Sequence, residues 1–100
     1  MLYKIQWTDK AIKTAENIVN YLKNKWTEKE VNIFLNDIDK VIALIETNPK
    51  LFKASIKRKN VHLALLSKHT FLVYQIRENK KQIILLLFWG TKQNPKKLKY

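Results

Sequence analysis

The stretch from Ile83 to Trp89 reads IILLLFW, seven apolar residues in succession, and runs into Gly90, the chain's only glycine. Seven residues are far short of the roughly 18 that a membrane-spanning helix needs. With no polar position in the run, neither face is reserved for water, which predicts a strand at the centre of a sheet, covered on at least one face. The rest of the chain must then supply that strand with neighbours and a cover.

The cover is legible in the first half. After Tyr3, Ile5 and Trp7, which alternate with polar residues as a half-buried strand does, Thr8 or Asp9 supplies an N-cap. Ala11, Ala15, Ile18 and Leu22 then recur at helical spacing, with Ile12 and Val19 beside them, and predict an amphipathic helix ending near Asn24. A capping box, Thr27 to Glu30, opens a second helix whose stripe runs through Val31, Phe34, Leu35, Ile38, Val41, Ile42 and Ile45 to the stop at Asn48-Pro49. So short a connection makes the two helices an antiparallel hairpin.

The neighbours come from the second half, where the period changes. Val61, Leu63 and Leu65 alternate with His62 and Ala64; Leu72, Tyr74 and Ile76 alternate with Phe71, Val73 and Gln75; the turns between strands are SKHT and ENKK. The element order is β-α-α-β-β-β. This predicts an α+β fold, one domain over residues 1–100, with the helical hairpin on one face of a mainly antiparallel four-stranded sheet and the basic residues on the other. Phe71, Tyr74, Phe88 and Trp89 fall in apolar strands and read as core, not as a stacking platform for bases.

Charge divides the chain unevenly. Residues 1 to 49 hold seven Lys and seven acids; residues 50 to 100 hold thirteen Lys and Arg against the single acid Glu78, and account for the whole net charge of +12. Such an excess suits an anionic partner: nucleic acid, an acidic protein or a membrane surface. Lys57, Arg58 and Lys59 precede the second strand, Lys68 and His69 lie in the first hairpin turn, Arg77 ends the third strand, and Lys92, Gln93 and Asn94 follow the last. If they converge, they form a phosphate- or carboxylate-binding surface; lysines at turns also keep sheet edges from aggregating. A chain without cysteine has no disulfide or thiolate metal site, which fits a reducing cytoplasm, and neither a metal-ligand spacing nor a phosphate-cradling loop is present, so no cofactor is expected. No secretory signal or membrane segment is expected either.

The strand ending in Trp7, AIKTAENIVNYLKNKW, IETNPKLF, KHTFLVYQI and FWGTKQNPKKL, in this order, make the chain similar to the RelE/ParE superfamily of bacterial type II toxins. The resemblance implies a growth-arresting toxin neutralised by a cognate antitoxin, whose acidic helical or extended segment the positive charge would steer. It also implies one of two targets: DNA gyrase, bound without catalysis, or mRNA on the ribosome, cleaved by an endoribonuclease. ParE-like members carry Arg-Gln-Asn/Asp-Pro where this chain has Lys92, Gln93, Asn94 and Pro95, a change that keeps the charge and loses the bidentate fork. A ribonuclease would need Lys57, Arg58, Arg77 and Lys92 around the phosphate and His62, His69 or Tyr100 for proton transfer. Two histidines without a nearby carboxylate make a weak acid–base pair, which favours the gyrase-type, non-enzymatic reading, with a basic nucleic-acid-binding module as a third possibility.

Overall fold

In a computed structural model, which describes residues 2–25, 27–67 and 70–90, the apolar run sits one place in from the sheet's edge. The elements are β1 (Lys4–Trp7), α1 (Asp9–Lys25), α2 (Glu28–Thr47), β2 (Lys53–Ala54), β3 (Val61–Ser67), β4 (Thr70–Arg77), a single 3-10 turn (Glu78–Lys80) and β5 (Gln82–Gly90). They form one five-stranded sheet in the order β1-β5-β4-β3-β2. The sheet is mixed: β1 runs parallel to β5, and every other pairing is antiparallel. The fifth strand, β2, extends the expected four. It is a two-residue edge strand with an exposed lysine, a length and composition that discourage pairing with another chain.

The helices cover one face. Val31, Phe34, Ile38, Val41 and Ile45 are buried along α2, and Phe34, Ile38, Val41 and Ile45 join Leu72, Tyr74, Ile76, Ile83, Leu85 and Phe88 of the sheet in the main core. Phe88 lies at its centre, stacked on Trp7 at 5.6 Å and edge-on to Phe34 at 6.1 Å. Leu35, assigned to the stripe by periodicity, is exposed. Thr27 caps α2 in extended geometry, but the capping box does not close: the Glu30 amide donates to the Thr27 backbone carbonyl at 3.0 Å, and the hydroxyl makes no cap bond.

The docking of α1 onto β5 follows from the length of β1. β1 pairs with β5 only from Gln82 to Leu85, so beyond that point the outer edge of β5 has lost its strand partner. Two threonines of the α1 segment replace it. The Thr8 hydroxyl donates to Leu85 O at 2.7 Å and accepts from the Ala11 amide at 3.0 Å, capping α1 and the sheet edge together. Six residues on, Thr14 Oγ1 donates to Lys10 O at 2.7 Å and accepts the Phe88 amide at 2.9 Å. A backbone donor that would otherwise be stranded beside the core is thereby satisfied.

The opposite face differs from expectation. Its centre is apolar, with Val61, Val73 and Leu87 buried and Leu63, Phe71, Leu86 and Trp89 packed around them; all seven belong to β3, β4 and β5. The cations stand at the ends of the strands and in loops, because lysine at the middle of a three-strand apolar patch would lose its hydration without a partner. On β3, His62 and Ala64 face the helices, whereas Leu65 points away and is 60% exposed. Small Ala64 lets α2 approach β3 closely.

Candidate functional site

The strand register sorts the candidate residues into two groups. Antiparallel pairing of β3 with β4 puts the start of β3 beside the end of β4, with the Ile76 amide donating to Asn60 O at 2.8 Å. Lys57, Arg58, Lys59 and Arg77, all exposed, therefore share one end of the sheet. The same register adds three cations that sequence order did not place there: Lys80 and Lys81 in the β4–β5 turn, and Lys4, which pairs with Gln82. The other end is marked by Ser67, Thr70 and Gly90. The eight residues of β4 separate the two ends by about 24 Å. Lys68, His69, Lys92, Gln93, Asn94 and Tyr100 lie outside the described residues.

The basic end is built by local chemistry. Asn60 adopts φ 64°, the left-handed conformation that asparagine tolerates, and turns the loop into β3. Ser55 holds the loop's other side: its amide donates to Val61 O at 2.7 Å, and its hydroxyl accepts from the amides of Lys57 (3.0 Å) and Arg58 (3.3 Å). Lys81, at φ 50°, closes the neighbouring turn with its ammonium 5.4 Å from the centre of the Tyr3 ring.

Electrostatics leaves this end strongly positive. No Asp or Glu occurs in the sequence between Glu46 and Glu78. Glu78 is engaged with Lys50 at 2.9 Å, a hydrogen bond that holds the Glu78 carboxyl below its usual range and the Lys50 ammonium above its own. Both side chains are solvent-exposed, so the pair is screened.

Proton-transfer groups near this end are turned inward. His62, the proton-transfer candidate on β3, is only 8% exposed; its ring lies 5.6 Å from Tyr74, nearly parallel to it, and its Nδ1 is 2.9 Å from Phe52 O. Tyr74 is fully buried and donates its hydroxyl to Pro49 O at 2.6 Å; burial pushes the phenol up to about 12. These two rings clamp the 49–52 segment between α2 and β2. Among the described residues no group of three His, Cys, Asp or Glu is placed to hold a metal ion, and no helix is long and apolar enough to cross a membrane. What the exposed residues offer is positive charge gathered at one end of the sheet.

A helical hairpin laid on a mixed, largely antiparallel sheet is the fold that this chain shares with solved RelE and ParE toxins. The chromosomal ParDE system of P. aeruginosa is similar with a TM-score of 0.73 at 15% identity, covering 91% of this chain and 98% of that one. Isolated E. coli RelE toxin is similar with a TM-score of 0.64 at 14% identity, covering 93% and 88%. The RelBE2 toxin–antitoxin complex of Mycobacterium tuberculosis gives 0.62 at 12% identity, covering 90% and 99%. No curated protein is significantly similar in sequence. Residues 5–95 match the family model described as ParE toxin of type II toxin-antitoxin system, parDE, and the chain belongs to that family.

Proposed function

We propose that this protein arrests bacterial growth by binding and inhibiting DNA gyrase in the cytoplasm, without catalysis of its own, and that a cognate antitoxin neutralises it. The observation that carries this reading is the division of labour around β3 and β4: the cations face water, while His62 and Tyr74 are committed to backbone carbonyls inside the fold. A ribonuclease of this size would need an oriented base and acid beside its phosphate-binding cations, and among the described residues the candidate for that role, His62, is turned inward. The binding surface we assign comprises Lys57, Arg58, Lys59 and Arg77, together with Lys68, His69, Lys92, Gln93 and Asn94. That similar structures include a ParDE system and a RelBE2 complex supports an antitoxin partner for this chain.

Induced expression with pulse labelling of DNA and protein synthesis tests the reading. DNA synthesis failing first, with filamentation, is the expected result. Translation failing first, with mRNA cut at codon positions, would replace it with a ribosome-dependent ribonuclease.

A further inference from the structure

Ile56 is 97% exposed, the most exposed of the large apolar residues among those described, and it stands in the basic loop between β2 and β3. On one side is Lys53; on the other are Lys57, Arg58 and Lys59, all exposed. The loop is not slack chain. The Ser55 hydroxyl bonds to two successive amides after Ile56, and bonds at Ser55–Val61 and Asn60–Ile76 close the base. A fixed turn that presents an aliphatic side chain to water has already met the ordering cost of docking, and it recovers apolar burial only when something covers it.

The loop's composition selects among anionic partners. Single-stranded nucleic acid is gripped by aromatic platforms and phosphate-binding cations, and an aliphatic side chain adds little to such a grip. An acidic protein surface with an apolar recess uses both features: the cations steer the encounter and the isoleucine supplies the buried anchor. We infer that the 55–60 loop is the toxin's protein-docking element, with Ile56 inserting into an apolar recess on an acidic surface of the target and Lys57, Arg58 and Lys59 ringing it. This rests on the reading that the target is a protein.

The test is binding of the labelled full-length chain to purified gyrase at low and physiological salt, comparing wild type with Ile56→Ser, Ile56→Leu and Lys57→Ala/Arg58→Ala. Ile56→Ser is expected to weaken binding about tenfold, mostly through faster dissociation, with an unchanged melting temperature. Ile56→Leu should bind like wild type, and the double variant should associate more slowly with a shallower salt dependence. Equal affinity of Ile56→Ser and wild type for gyrase would overturn the docking role and leave the gyrase reading standing. Failure of wild type to bind gyrase would overturn both. Binding to ribosomes or an RNA oligonucleotide that is lost with the cations and indifferent to Ile56 would make the loop a phosphate grip instead.

Discussion

Tyr74→Phe isolates a single hydrogen bond at the point where the helical hairpin is tied to the sheet. The hydroxyl donates to Pro49 O at 2.6 Å from a fully buried ring, and that carbonyl belongs to the segment that stops α2. Phenylalanine keeps the ring and its stacking on His62, so only the hydroxyl and the satisfaction of the Pro49 carbonyl are lost. Removing one partner of a buried bond costs about 1–2 kcal/mol, which in a chain of this length lowers Tm by roughly 6–12 °C. A second signature depends on pH. The unfolded phenol loses its proton near pH 10 and the folded one near 12, so the stability tied to the protonated Tyr74 is fully present below pH 10 and is lost as pH climbs toward 12. Thermal melts of wild type and Tyr74→Phe from pH 7 to pH 12 should therefore converge across that window. A variant as stable as wild type at neutral pH would refute the assignment of this bond, and a stability gap that stays constant up to pH 12 would refute the burial of the phenol.

Phe88→Ala removes the ring that Trp7 and Phe34 pack against and should cost about 3–5 kcal/mol in denaturant unfolding, enough to leave much of the chain unfolded. Thr14→Val strands the Phe88 amide at nearly constant volume and should cost about 1–2 kcal/mol by the same measurement. Glu78→Gln breaks the pair with Lys50, whose contribution is present above the ordinary carboxylate range and fades as pH falls; because both groups are exposed, the melting temperature at neutral pH should barely move. Arg77→Glu and Lys92→Ala should each relieve growth arrest on induction while leaving circular dichroism melts unchanged; arrest undiminished in both would remove these residues from the proposed surface.

How far the sequence could be read depended on the range of the interaction. The α2 stripe and the β5 run were legible because burial on one face repeats within a few residues. β2 was not, since two residues carry no period and only pairing with Leu63 and His62 makes them a strand. The parallel union of β1 with β5 left no local trace, so the convergence of Lys4 with Arg77, Lys80 and Lys81 stayed hidden, although each residue was in plain view. On β3 the alternation was legible, but the period alone did not say which set faces the helices. Val61 and Leu63 are the more apolar set, yet the helices needed the small Ala64 and the hydrogen-bonding ring of His62. Ile56 carried a signal that periodicity does not weigh, an isolated aliphatic between Ser55 and a run of cations.

The union of β1 with β5 also sets a clock on synthesis. Roughly 75 residues separate Trp7 from Gln82, which a ribosome takes about 4–15 s to add, and until β5 emerges neither β1 nor α1 has the edge it docks on. Every nascent chain stopped short of β5 lacks the strand that joins its first segment to its last hairpin, so it cannot acquire the finished shape in stages. The surface proposed for target binding is therefore completed only late in synthesis, which leaves an interval in which the proposed antitoxin can already be waiting for it.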